Sequence, residues 1–262
     1  MKPMLFFDID GTLMNHHGFE VPTSTIQTLK KLKESGYLLG IATGRSYDSY
    51  LRTPIDSIIN WDCVICNNGQ IILDQNKKVL FEAFIEPSSV QQFLDQAKKM
   101  HYPVVVKCKY RFIRVQADFR TKQVHAHFNN PIPSVGSYHG QKVQAMNIYA
   151  PKDYDYHDFS TIPNIHIIPC NLEYAEVSVE GVSKANSIKK ALNYFHQDHY
   201  IAFGDSPNDQ EMLKNASIAV AMYESNEELK DIATLITKPF DQDPIYYACL
   251  QLNLMKEGLK ND

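Results

Sequence analysis

The chain has 262 residues, 44% of them apolar, a formal net charge of -4 and a single tryptophan. That is enough apolar material for one large domain or two moderate ones. With no long Lys/Arg block there is no electrostatic footprint for a nucleic-acid polymer or an anionic membrane, whereas small anionic metabolites stay open, because a basic pocket does not need a basic protein.

The start, "MKPMLFFDID", carries one lysine and an apolar run too short for a secretory signal, and no later segment approaches membrane-spanning length. The expectation is a cytoplasmic protein. Five cysteines at irregular spacing argue for reduced thiols. "CVIC" has redox-motif spacing but lies in a strand-like run, so Cys63 and Cys66 are expected as packed core thiols.

"MLFFDI" reads as a strand. The helical pattern "PTSTIQTLKKLKESG" follows, with Ile26, Leu29 and Leu32 on one face, Thr23 or Ser24 as cap and Gly36 at the end. "YLLGIAT", a short helix "SYDSYL" and "DCVICNNG" complete a βαβαβ order, which predicts a parallel sheet. "IILDQNKKVLFEAF" reads as a hairpin. The segment from there to Gly181 is of domain size and mixed α+β, with helix "PSSVQQFLDQAKKM" and strands "PVVVKCKYRFIRV", "KVQAMNIYA", "IHIIPC" and "YAEVSV". From Ser183 the alternation of helix and strand resumes to a C-terminal helix. The fold class is therefore α/β, a doubly wound (Rossmann-like) parallel-sheet core at 1–82 and 183–262, with an inserted α+β domain at 83–182.

Two stretches of the insertion tempt a sharper reading. As one strand, "VKCKYRF" sets Lys107, Lys109 and Arg111 on one face, expected as solvated surface; the sharper version has it favour substrates with a second anionic group. As a strand, "VHAHF" points His125 and His127 to one side. With no Cys or acid at ligand spacing, these two and His139 are expected to be ordinary polar residues.

Ligands of open parallel sheets bind beyond the carboxyl ends of the strands. Asp8 and Asp10, "TGR" at Thr43 to Arg45, "NNG" at Asn67 to Gly69, and "GDSPND" at Gly204 to Asp209 all fall there. Acids meeting in one crevice raise one another's pKa unless a cation sits among them, and oxygen ligands without His or Cys select Mg²⁺. Each cluster also has a plain reading: Asp-Gly as a turn, Ser206 and Pro207 as a helix start, "ATGRS" as a strand-turn-helix junction whose backbone N–H groups suit a phosphate. Lys184 lies in the first turn of its helix, where the macrodipole disfavours a cation, so a carboxylate or phosphate partner is expected.

The ordered set "FDIDGTL", "ATGR", "NNG", an inserted cap, "GVSK", "GDSPNDQEML" and "IAVAM" resembles the haloacid dehalogenase-like hydrolases, in their Cof-like branch of magnesium-dependent phosphatases. The resemblance implies Asp8 as nucleophile and Asp10 as general acid/base, with an aspartyl-phosphate intermediate. It implies Mg²⁺ held by the side chains of Asp8 and Asp205 and the backbone carbonyl of Asp10, supported by Asp209. Thr43, Gly44, Lys184 and Asn208 would face the phosphate, and Arg45 the phosphate, the cap or the substrate. Gln70, Tyr223 to Ser225 and Pro244 depart from the branch's pattern without removing a catalytic group. The implied substrate is a small phosphorylated metabolite and the protein a monomer or homodimer. A phosphomutase of similar fold and a non-catalytic phosphate-responsive regulator are the alternatives; a phospho-receiver domain would be about half this length.

Overall fold

A computed structural model describes residues 2–15 and 20–256. In chain order the strands are β1 (Met4–Phe7), β2 (Leu39–Ala42), β3 (Cys63–Cys66), β4 (Ile71–Asp74), β5 (Val79–Glu82), β6 (Val104–Lys107), β7 (Arg111–Ile113), β8 (Ala145–Ile148), β9 (Ile165–Pro169), β10 (Ala175–Val179), β11 (Tyr200–Gly204), β12 (Ile218–Ala221) and β13 (Leu235–Ile236). The helices are α1 (Thr23–Glu34), α2 (Tyr47–Tyr50), α3 (Pro87–Lys99), α4 (Phe119–His127), α5 (Lys184–Tyr194), α6 (Gln210–Lys214), α7 (Glu227–Ile232) and α8 (Pro244–Gln251). The chain divides into two compact units, Met1–Leu80 with Ser183–Asp262, and Phe81–Val182.

The first unit is built on an eight-stranded sheet ordered β13-β12-β11-β1-β2-β3-β4-β5. It is parallel from β13 to β3, and β4 turns back antiparallel on β3. Every residue of β1, β2, β3 and β11 is buried, as expected of strands covered on both faces. Leu5 pairs with Ile201 on one side and Leu39 on the other, so β1 lies where the strand order changes direction. One core joins Leu5, Phe7 and Phe203 to Leu29 and Leu32 of α1 and Ile245 of α8. Neither Thr23 nor Ser24 caps α1: the helix starts one residue early, behind Pro22, and the Ser24 hydroxyl is donated to Asp243. All five cysteines are free, and burial in β3 pushes the Cys63 thiol far up.

The second unit holds a five-stranded antiparallel sheet ordered β7-β6-β8-β10-β9. Val104, Val106, Met146, Ile148, Ala175 and Val177 pack with Val90, Phe93 and Leu94 of α3. Val105, Ile113 and Tyr149 form a smaller cluster with Val124 of α4.

Two expectations fail in this unit. "VKCKYRF" is a hairpin: β6 stops at Lys107, Cys108 N–H donates to the Tyr110 carbonyl at 3.0 Å, and β7 returns from Arg111. Lys107 and Arg111 still share a face because they are cross-strand partners, while Lys109 sits exposed in the turn. A three-residue turn preserves charge alternation on both sides, so the strand pattern and the hairpin pattern look alike. "VHAHF" is helical, not extended, because Asp118 caps α4 by accepting the Thr121 N–H at 2.8 Å and its hydroxyl at 2.7 Å. Two residues apart on a helix, His125 and His127 point to different sides.

Among the described residues, no helix is long and apolar enough to cross a membrane.

Candidate active site

β1 ends at Phe7, and the Asp8 N–H continues its ladder to the Phe203 carbonyl at 3.0 Å, which fixes the Asp8 backbone beside the end of β11. The side chain is buried, 5% exposed. Lys184, at the first position of α5 behind the capping hydroxyl of Ser183, is 1% exposed. Its Nζ donates to Asp8 Oδ1 and to Asp209 Oδ1, both at 2.7 Å. The cation at the wrong end of a helix dipole is explained by these two buried carboxylates.

Asp209 is set by a capping box. Its Oδ2 accepts the N–H groups of Asp205 and Ser206, each at 3.1 Å, while its Oδ1 holds Lys184. Gly204 permits the close approach: a Cβ there would lie 2.7 Å from the Asp209 side-chain carbons. Asp205, next in the chain, accepts Thr12 Oγ1 at 3.0 Å on Oδ1 and Ser206 Oγ at 2.8 Å on Oδ2.

Asp10 is held differently. Arg45 Nε donates to its Oδ2 and Arg45 Nη2 to its Oδ1, both at 2.7 Å, a bidentate fork. Arg45 Nη1 reaches Ser49 Oγ at 3.3 Å. The loop after β3 is tied in: Asn67 N–H donates to the Arg45 carbonyl at 2.9 Å and Asn68 N–H to that of Thr43 at 3.0 Å. Both asparagines are left-handed, a conformation Asn tolerates. Asn208 Nδ2 donates to Asn68 Oδ1 at 3.1 Å.

Burial raises the pKa of Asp8 well above the carboxylate range; Lys184 opposes that shift, and Asp209, Asp205 and Asp10 add to it. Burial also raises Asp209. For Lys184 burial pulls the other way, but Asp209 and Asp8 outweigh it, and its pKa goes up. The ammonium is therefore charged, and it donates to two of the three clustered acids. One ligand atom from each of Asp8, Asp205 and Asp209 lies within 4.8 Å of the others. An all-carboxylate set with excess negative charge fits a hard divalent cation. Asp209 has both oxygens engaged by protein donors and suits a supporting place, and the Asp10 side chain faces Arg45, which leaves its backbone carbonyl as the group it can offer.

The sequence-predicted residues thus fall into three sets: Asp8, Lys184, Asp205 and Asp209 in one cluster, Asp10 with Arg45, and Asn208 with Asn68. Thr43 differs in detail from expectation. Its N–H is spent on the Ile65 carbonyl at 2.9 Å, so its hydroxyl, which accepts the Arg45 N–H at 3.1 Å, is the group left to donate. Thr12 was missed as a site residue, while Ser206 and Asn68 stand in the expected strand-end clusters but carried no expected role beyond Ser206 as a helix cap. The signal for Thr12 was a hydroxyl two residues beyond the second acid, and the structure buries it fully.

Residues 5–249 match the sequence model of the haloacid dehalogenase-like hydrolases. The chain belongs to that family. It is 30% identical over 264 residues, covering 97% of this chain and 98% of the relative, to YkrA of Bacillus subtilis (strain 168), which carries a provisional phosphatase name. It superposes with TM-score 0.88 on BT1666, a phosphatase of the same superfamily from Bacteroides thetaiotaomicron, at 25% identity and 97% and 96% coverage. The subclass IIB sugar phosphatase BT4131 gives TM-score 0.87 at 26% identity, covering 97% of this chain and all of that one. Fold and family make this chain a hydrolase of the phosphatase type.

Proposed function

We propose that the chain is a Mg²⁺-dependent phosphomonoester hydrolase of small metabolites that works through an aspartyl-phosphate. The reading is carried by one observation: a buried carboxylate, Asp8, bridged by Lys184 to a second acid and flanked by a third. A structural ion pair has no need of the surplus charge.

In the proposed reaction an Asp8 oxygen attacks phosphorus, the ester P–O bond breaks, and the leaving alkoxide takes a proton from Asp10. Asp10, now a carboxylate, removes a proton from water; the water oxygen attacks the aspartyl-phosphate, the P–O bond to Asp8 breaks, and inorganic phosphate leaves. Two easier steps replace one. Lys184 neutralises charge on the phosphoryl group and favours the ionised form of Asp8 against its burial, with the Thr43 hydroxyl, Gly44 and Asn208 as further phosphate contacts. Mg²⁺, held by Asp8, Asp205 and the Asp10 carbonyl with Asp209 in support, would add positive charge at the phosphoryl oxygens. The unit Phe81–Val182 would select the substrate, and the five free thiols agree with work in the cytoplasm.

The test is phosphate release from a panel of phosphorylated metabolites, with and without excess chelator. Release that stops with chelator and returns with Mg²⁺ is expected. Full turnover in chelator defeats the metal assignment, and isomerised ester without free phosphate would make the protein a mutase.

A further inference from the structure

The antiparallel sheet of the Phe81–Val182 unit ends in two edge strands, β7 and β9, and the fold treats them differently. Beyond β7 the chain returns: Ile113 N–H donates to the Ser134 carbonyl at 3.1 Å and Gly136 N–H to the Ile113 carbonyl at 2.9 Å, so that edge is covered. β9 pairs with β10 on one side only.

The ladder fixes which groups β9 leaves over. Glu180 N–H donates to the Asn164 carbonyl at 3.2 Å and Cys170 N–H to that of Tyr174 at 3.1 Å, and both pairs continue the β9–β10 register. Hydrogen-bonded pairs alternate along an antiparallel ladder, so His166 and Ile168 spend their backbone groups on β10, while those of Ile165, Ile167 and Pro169 point outward. Proline has no N–H. The open edge therefore offers a donor and an acceptor on each of Ile165 and Ile167, together with the Pro169 carbonyl, and among the described residues none of these has a partner.

An open strand edge is a template for pairing, which folds commonly blunt with Lys, a bulge or an inward charge. β9, with the sequence Ile-His-Ile-Ile-Pro, contains no Asp, Glu, Lys or Arg. Its half-buried Ile165 and Ile167 side chains line a groove of about 240 Å³ with Tyr156, Phe159 and Ile162. Asp155, at the rim of that groove, accepts the His157 N–H at 3.0 Å.

We propose that β9 is the surface through which two copies of this chain associate, edge to edge and antiparallel about a two-fold axis at His166, joining their five-stranded sheets into one of ten strands. In that register Ile165 pairs with Ile167 of the second copy and Ile167 with its Ile165, so four hydrogen bonds use every outward donor and acceptor of both isoleucines. An axis at Ile167 would instead set Ile165 against Pro169 and leave the Ile165 carbonyl without a donor. The occupant is a second copy because the edge is its own complement in hydrogen bonds and, carrying no formal charge, does not repel its like. A foreign peptide would find no charge there to recognise. The isoleucines of the second copy fall on the α3 side of the joined sheet, beside the groove that Ile165 and Ile167 line. The contact is small beside that of an obligate dimer, so association is expected to depend on concentration. The inference does not depend on the phosphatase reading.

The test is sedimentation velocity of the full chain over a hundredfold range of concentration, with a melting temperature for each variant. Wild type is expected to pass from monomer to dimer as concentration rises. Ile167→Pro deletes an outward N–H and spares the bonds to β10, so it should fold and stay monomeric. Ile165→Lys, which charges the edge without altering the backbone, should do the same and guards against a folding defect in the first variant. Under mild oxidation His166→Cys should give a disulfide-linked dimer, because residues facing each other across the axis in a non-hydrogen-bonded pair lie about 4.5 Å apart between Cα atoms. Ile168→Cys, further from the axis, should link no more than wild type with its native thiols. Wild type that is monomeric at every concentration, or a dimer that survives both edge variants, would overturn the proposal; cross-linking through Ile168→Cys but not His166→Cys would overturn the pairing about His166.

Discussion

The two units place their polar groups in different ways. In Met1–Leu80 with Ser183–Asp262, both faces of the parallel strands are covered, so charges gather where strands end: Asp8 after β1, Arg45 beyond β2, Asp205 after β11. In Phe81–Val182 the antiparallel sheet gives one face to α3 and carries Lys107, Asn147, Glu176 and Ser178 on the other. Topology causes the difference: parallel strands apolar on both faces leave polar groups to the strand ends, whereas the antiparallel strands alternate, packing one face on α3 and carrying buried polar side chains beside the small α4 cluster on the other. The lesson is a division of labour, with dense charge on short rigid loops in the first unit and mostly register-matched side chains in the second.

The comparison breaks most easily at Asp8. Asp8→Asn should lower phosphate release by roughly 1000-fold or more, since it removes the attacking oxygen, while Asp10→Asn should slow both proton-transfer steps. Wild-type rates in Asp8→Asn would move the chemistry elsewhere.

Lys184→Met tests whether the charge cluster also holds the first unit together. Two buried carboxylates lose their shared partner, a class of change that costs about 3–5 kcal/mol, so thermal or urea unfolding should show a large loss together with lost activity. An unchanged melt would mean that the cluster is already neutral without the lysine.

Arg45→Lys sharpens the picture inside the site. A single ammonium cannot reproduce the fork on Asp10, so kcat should fall about tenfold through misplacement of Asp10, with KM little changed. A rise in KM at constant kcat would make Arg45 a substrate contact instead.

The smallest effect belongs to the second unit. Burial lowers the His125 pKa below its ordinary 6.5, so the unfolded chain binds that proton more readily than the folded one. The stability tied to the neutral ring is complete above pH 6.5 and is lost as pH falls through that value towards the folded one. Melts from pH 7.5 down to 5 should show a decline that is shallower in His125→Gln. An identical slope in the variant would assign the acid sensitivity to other groups.

What could be read in the sequence follows the same division. Asp8 and Asp10 stand beside their own strand, and Ser206 to Asp209 form a helix start whose capping chemistry is local, so those site residues were legible as short motifs. Lys184 was legible through its conflict with the helix dipole. The fork from Arg45 to Asp10 spans 35 residues and the Thr12 bond to Asp205 spans 193, and no local pattern announces either pairing.

By itself the sequence determined the alternation of strands and helices, the acids at the strand ends and the insertion of a second segment, because hydrophobic period and capping act within a few residues. Tertiary structure alone decided that Lys107 and Arg111 meet across a turn, that His125 belongs to a helix and points at Tyr149, and that Ser178 and Asn147 hold polar atoms the fold does not satisfy. Those outcomes depend on which strands pair and in which register, and pairing energy is summed over residues far apart in the chain.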